Sequence, residues 1–175
     1  SVQTNPAKAD RLQWWRAARF GLFIHWGPVS LVGTEIGWSR GGERRGLNFT
    51  LPPGPVPVEQ YDNLYKEFNP TQFNAAEWVQ IAKDAGMRYL VFTTKHHDGF
   101  CNFDSALTDY KITGPNSPFG RDIVAELAAA CHAANLPFGC YYSQPDSRHP
   151  DYRNENHQRY LDYFHAQVTE LCTNY

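Results

Sequence analysis

Hydrophobic and polar positions along the chain repeat one unit three times: a helix-period segment, a short break, an apolar run and a polar cluster. Residues 11–18 predict a helix leading into a strand over 20–24, which ends at His25-Trp26-Gly27. Residues 75–85 predict a second helix, stopped by Gly86, that delivers a strand over 89–94. That run, Tyr89-Leu-Val-Phe-Thr-Thr94, has the β-branched and aromatic content of a strand buried on both faces, and it switches at once to Lys95-His96-His97-Asp98-Gly99. A third helix over 121–134, with Asp122 as its N-terminal residue, breaks before Leu136-Pro137 and delivers a strand over 138–142. The polar cluster after it is Ser143-Gln144-Pro145-Asp146. A fourth helical pattern covers 156–173, with Leu161, Phe164, Val168, Leu171 and Cys172 near a helical period.

Helices alternating with strands predict a parallel α/β sheet. In such sheets chemistry gathers at the carboxyl ends of the strands, so His25/Trp26, His96/His97 and Tyr141/Tyr142 are placed to face one ligand. A doubly wound nucleotide-binding sheet would carry a glycine-rich phosphate turn after its first strand. No G-x-G-x-x-G, P-loop or G-x-S-x-G elbow is present. A (β/α)8-type barrel fits better, because it spreads its site over many strand ends. A full barrel needs about 250 residues, so this chain would supply about the first three βα units. The expectation is one domain over 1–175, the N-terminal portion of a barrel.

The connection from Trp26 to Phe73 is long and irregular, with Gly41-Gly42, Pro52-Pro53-Gly54-Pro55 and Pro57. A connection of that length suggests a wall or lid over the mouth of the sheet. Within it, Thr34-Glu35-Ile36-Gly37-Trp38-Ser39-Arg40 places a carboxylate, an indole and a guanidinium close together.

Composition narrows the partners. Net charge is −2 with no basic stripe, which argues against nucleic acid. No apolar run approaches the ~20 residues needed to span a bilayer. Aromatics make up 15 % of the chain, and their faces suit stacking on sugars. The four cysteines, Cys101, Cys131, Cys140 and Cys172, form no C-x-x-C pair and are expected as buried thiols, with one or more disulfides as the alternative. Residues 1–5 are polar apart from Val2.

Three histidines at two strand ends admit two uses. A metal site would combine neutral imidazoles with a carboxylate. Metal-binding barrels usually place such ligands as H-x-H on one strand face, and adjacent His96-His97 would point apart unless the strand ends there. The other use, favoured here, is hydrogen bonding to several hydroxyls, because a neutral imidazole offers one donor and one acceptor. Glu35 is either a ligand of that substrate or a solvated carboxylate paired to Arg40. Trp26 and Trp38 are either stacking platforms or packing. Asp98 before Gly99 has the pattern of a turn former.

The blocks Arg19-Phe-Gly-Leu-Phe-Ile-His-Trp-Gly-Pro28, Glu35-x-x-Trp38-Ser-Arg40, Tyr61-x-x-Leu-Tyr-x-x-Phe-Asn-Pro70, Thr94-Lys-His-His-Asp-Gly-Phe100 and Gly139-Cys-Tyr-Tyr-Ser143 run in order over nearly the whole chain. Together they resemble the α-L-fucosidases of glycoside hydrolase family 29. The resemblance implies a (β/α)-barrel catalytic domain and a retaining exo-glycosidase that releases terminal α-L-fucose without a cofactor or metal. It maps fucose-hydroxyl ligands onto His25, His96, His97 and Glu35, the adjoining tryptophan onto Trp38, and a tyrosine onto Tyr142 with Tyr141 one step away. Trp26 or Phe23 would cover the sugar's methyl group. The implied partners are a fucosylated glycan, the remainder of the barrel as a later segment or partner chain, and a second copy in a homo-oligomer. The implied location is secreted or periplasmic, lysosomal in a eukaryote.

Two features depart from the family pattern. Many relatives carry an aspartate-tryptophan pair after the third strand, whereas Asp146 is followed here by Ser147-Arg148. The family's nucleophilic aspartate ends the fourth strand, so no catalytic residue is expected within this chain and the nucleophile is expected beyond Tyr175. Two other classes stay in view: a metal-dependent barrel hydrolase using His25, His96 and His97, and a non-catalytic sugar-binding module.

Overall fold

The structure, a computed structural model, describes residues 6–43 and 52–175, with side chains from Leu12 onward. Residues 1–5 lie outside the described residues. The chain runs α1 (Pro6–Ala18), β1 (Leu22–Ile24), a 3-10 turn (Pro28–Leu31), α2 (Val58–Asn63), a second 3-10 turn (Leu64–Lys66), α3 (Ala75–Asp84), β2 (Leu90–Lys95), α4 (Ile123–Ala133), β3 (Phe138–Tyr142) and α5 (His157–Asn174). The three predicted helix–strand units are all present. The first helix begins five residues earlier than its hydrophobic period indicates, at Pro6, a residue preorganised for a first helical position. The long connection carries short helices that its proline-rich middle conceals in the sequence.

Local signals set the helix ends. Asn74 caps α3 by accepting from the Glu77 N–H at 3.2 Å, and Asp122 caps α4 by accepting from the Ala125 N–H at 2.9 Å. Gly86, at φ +75°, turns the chain out of α3 in the left-handed region that glycine adopts without penalty.

The strands form one parallel sheet in the order β1-β2-β3. One face packs against α3 and α4. There Leu90, Phe92, Val79, Ala82, Ile123, Val124, Leu127 and Cys131 join a single buried cluster, with Leu22, Ile24 and Phe138 packed on its rim. Burying a side chain such as Phe92, with none of its surface exposed, contributes about 1.5–3 kcal/mol. The opposite face carries Phe23, His25 and Tyr141. Among the described residues it is only partly covered, and Phe23 is 51 % exposed. Cys101 and Cys131 are buried; Cys140, on the edge strand β3, and Cys172 are exposed, so burial as expected holds for two of the four free thiols. No helix among the described residues is long and apolar enough to cross a membrane.

Candidate functional site

The site is built by an irregularity in β2. Pairing with β3 is regular from Leu90↔Phe138 to Thr93↔Tyr141, then shifts so that Lys95 pairs with Tyr142. One residue is taken up by a bulge, as commonly happens beside active sites. Strict alternation would turn Lys95 toward the face that carries His25. The bulge instead sends Lys95 to the helix side, where its ammonium lies 3.1 Å from the Asp146 carboxylate and 4.6 Å from the centre of the Tyr142 ring. β2 ends at Lys95, so the two histidines belong to the turn beyond it. Their rings therefore sit side by side, with centroids 4.0 Å apart, rather than on opposite faces.

His25 follows the end of β1 and its ring lies 5.3 Å from His96. Its position is stitched to β2 through its neighbour. The Trp26 N–H donates to Thr93 Oγ1 at 3.2 Å, and Asn102 Nδ2 donates to the carbonyls of Trp26 and Thr93, both at 3.0 Å. Tyr141 completes the cluster, with its ring 5.8 Å from His96 and 5.9 Å from His25.

Electrostatics make this a neutral, hydrogen-bonding surface. His96 is buried, and desolvation, helped by His97, His25 and Lys95, pushes its pKa down to about 3. Burial and the nearby Lys95 bring His97 down to about 4. Both rings stay uncharged at neutral pH. The tautomer of His97 follows from its partner. Ser143 Oγ donates to the Pro145 carbonyl at 3.0 Å and also contacts His97 Nδ1, so Nδ1 must carry the proton that Oγ accepts. The free Nε2 of His97 is then an acceptor. Ser143→Ala removes the group that selects this tautomer. We expect the affinity of a hydroxyl-bearing ligand for this site, measured by calorimetry, to fall about fivefold, on the order of 1 kcal/mol of binding.

The loop expected as a wall is one. A turn over 34–40 brings Glu35 and Trp38 to a cleft of about 680 Å³ that also has His25, Trp26, Ile36 and Ser39 in its lining. The Trp38 ring meets His97 edge-on at 4.8 Å. The Glu35 side chain is exposed at the rim, while its carbonyl accepts from the Ser39 N–H at 3.0 Å.

Some expectations are not met. Tyr142 does not join the histidines: its hydroxyl donates to Gln167 Oε1 at 2.6 Å and its ring stands against Phe164, because alternation along β3 turns it to the helix side. Tyr141 takes the place expected for it. Trp26 is packing more than platform, with rings of Phe68, Phe73 and Trp78 at 5.2, 5.7 and 5.0 Å, although it also lines the cleft. Arg40 does not pair with Glu35; it grips Asp62 with two bonds of 2.7 Å. Asp98 does accept from the Phe100 N–H at 3.3 Å as a turn former would, but it is also buried and accepts from the Tyr61 hydroxyl at 2.8 Å. No group of three His, Cys, Asp or Glu side chains among the described residues is arranged to hold a metal ion.

A model of the α-L-fucosidase family matches residues 2–175. The chain belongs to that family. It is 33 % identical over 171 residues to an Arabidopsis thaliana protein named α-L-fucosidase 1, covering 97 % of this chain and 29 % of that one. Among solved structures, α-L-fucosidase isoenzyme 1 from Paenibacillus thiaminolyticus superimposes with a TM-score of 0.79 at 44 % identity, over 97 % of this chain and 41 % of that one. A family 29 α-L-fucosidase from Bacteroides thetaiotaomicron, trapped as a covalent intermediate with 2-fluoro-fucosyl fluoride, superimposes with a TM-score of 0.77 at 32 % identity, over 99 % of this chain and 40 % of that one. The chain thus spans about a third of the length of the curated relatives it matches, 29 % of the Arabidopsis protein and 34 % of one from Branchiostoma floridae.

Proposed function

We propose that these residues are the fucose-recognition part of a retaining exo-α-L-fucosidase, folded as the first three βα units of a (β/α)8-type barrel. The observation that carries this reading is the cluster of His25, His96, His97 and Tyr141 at the carboxyl ends of three parallel strands, beside a cleft that holds Glu35 and Trp38. The neutral rings of His96 and His97, each turning Nε2 toward a ligand, with that of His97 an acceptor, match the hydroxyls of a sugar. Phe23, exposed and 4.6 Å from His25, is placed to cover a methyl group. The substrate is then a glycan with a terminal α-L-fucosyl residue, met in a secretory, periplasmic or lysosomal compartment.

A retaining mechanism needs two carboxyls about 5–5.5 Å apart, one as nucleophile and one as acid and then base. The acids near the histidines are committed elsewhere: Asp98 to Tyr61 and Phe100, Asp146 to Lys95. Glu35 stands on the loop that lines the cleft and not on a strand. These residues instead orient the sugar so that its anomeric carbon meets carboxyls contributed by the rest of the barrel, and such contacts can strengthen in the transition state.

The test is turnover of an aryl α-L-fucoside by the longest natural form of the protein, followed by trapping with a 2-fluoro fucoside and peptide mapping. We expect turnover, with the label on an aspartate outside residues 1–175. Label on Glu35, Asp98, Asp104 or Asp146 would overturn this division of labour. Fucose binding without turnover would favour a sugar-binding module instead. Activity lost to a chelator and restored by zinc would favour the metal-dependent reading.

A further inference from the structure

The turn that carries Glu35 and Trp38 is closed on itself by short-range bonds. The Trp38 N–H donates to the Ile36 carbonyl at 2.7 Å, the Ser39 N–H donates to that of Glu35 at 3.0 Å, and Thr34 Oγ1 donates to Ser39 Oγ at 2.9 Å. None of these ties the turn to the histidines. Beside the edge-on contact of the Trp38 ring with His97, a hydrogen-bonded tie runs through Gly37. Its N–H donates to the Tyr61 hydroxyl at 2.7 Å, and that hydroxyl donates to Asp98 Oδ2 at 2.8 Å. Asp98 follows His97 directly in the chain.

Gly37 also touches the histidines. It has φ +69°, and a Cβ placed on it would lie 2.8 Å from His96 Nδ1 and 3.0 Å from His97 Cβ. The backbone therefore lies flat against the histidine pair, an approach that glycine alone allows. His96 Nδ1 is buried there with no hydrogen-bond partner in the described structure, which leaves Nε2 as the nitrogen that can meet a ligand. The Tyr61 ring packs with Val29, Ile36 and Val56 in a small separate core and is 1 % exposed, so only its hydroxyl reaches out of that core.

We infer that Tyr61 is a positioning residue for sugar recognition: its hydroxyl latches the Glu35–Trp38 turn onto Asp98, and so fixes the loop ligands relative to His96 and His97. This rests on the fucosidase reading above for the identity of the sugar, but the latch itself does not. One hydroxyl serves as acceptor for the loop and donor to the carboxylate, so it satisfies two buried groups in one step. Its removal frees both ends together, while a phenylalanine ring would keep the packing. Burial holds the Asp98 carboxyl up at about 6, and at pH 7.5 the bond from Tyr61 is therefore charge-assisted, the stronger kind.

The test compares Tyr61→Phe with Tyr65→Phe in the full-length protein at pH 7.5. Tyr65 is a buried tyrosine of the main core that takes no part in the latch. Two readouts are taken: amide hydrogen exchange across residues 34–40, and affinity for L-fucose together with KM and kcat for an aryl α-L-fucoside. In Tyr61→Phe we expect exchange across 34–40 to speed up at least about tenfold, and the fucose Kd and KM to rise about tenfold, a change of about 1.4 kcal/mol, with kcat altered less. Tyr65→Phe should leave both readouts near wild type. Unchanged exchange in Tyr61→Phe would overturn the latch, and faster exchange with an unchanged fucose Kd would overturn its role in recognition. If the wild type neither binds nor hydrolyses fucose, the fucosidase reading fails, and the exchange readout still decides the latch. Should Tyr61→Phe not fold, Asp98→Asn trades a charged acceptor for a neutral one and should raise exchange in the same segment by a smaller factor. No rise in that variant would overturn the proposal.

Discussion

Asp146→Ala should destabilise the protein by about 3–5 kcal/mol, because it strands a buried ammonium. Lys95 has no exposed surface, and its contacts are the Asp146 carboxylate at 3.1 Å, the Ser143 carbonyl at 3.3 Å and the face of Tyr142. Asp146 is held in turn by the N–H groups of Arg148 and His149, at 3.0 and 2.9 Å. A Cβ on Gly99 would lie 2.7 Å from its Oδ1, so the turn after the histidines closes directly over the carboxylate. The pair thus underlies the whole end of β2. Urea unfolding of the full-length variant is the measurement. The double variant Lys95→Met/Asp146→Leu, which removes both charges, should lie closer to wild type than Asp146→Ala does. A loss under about 1 kcal/mol in the single variant would place the pair among surface bridges, whose loss matters little.

The second large effect is acid sensitivity. The pKa values of His96 and His97 in the fold, about 3 and about 4, lie below their ordinary 6.5, chiefly because burial disfavours the charged ring. Between pH 6.5 and 4 the unfolded chain therefore binds two protons there that the folded chain does not. Asp98 acts in the opposite sense: burial raises it from 3.8 to about 6, so over most of that window the folded chain holds one proton that the unfolded chain lacks. The balance is about one extra proton on the unfolded state, and stability should fall by about 1 kcal/mol per unit as pH drops from 6 toward 4. The stability associated with neutral histidines is fully present above their ordinary pKa and is lost on acidification. Melting temperatures from pH 7 to 4.5 test this, with His97→Gln expected to flatten the decline. A midpoint that is constant or rises on acidification would contradict it.

Much of the molecule can be read in one dimension. Helical periods, the caps Asn74 and Asp122, the stop at Gly86 and the apolar runs depend on neighbours a few residues away. They locate three helix–strand units, and boundaries such as Phe138–Tyr142 coincide with the expectation. The placing of His25, His96 and His97 at strand ends follows from the same local signals, and their convergence follows from the parallel order of the sheet. The order of motif blocks also marks the family.

What tertiary structure alone decided are matters of register and distant partners. A bulge between Thr93 and Lys95 carries no strong sequence signature, yet it swings Lys95 to the helix side and sets the two histidines side by side. Alternation along β3 is local, but which face meets the histidines is set by pairing with β2, and it selects Tyr141 over Tyr142. Arg40 pairs with Asp62 and not with Glu35, and Gly37 is joined to Asp98 through Tyr61, 37 residues earlier in the chain than that carboxylate. Sequence specifies side-chain chemistry and local period, whereas a buried polar group is satisfied by whichever partner the fold brings within about 3 Å. For these residues that partner is tens of positions away, where local pattern carries no information.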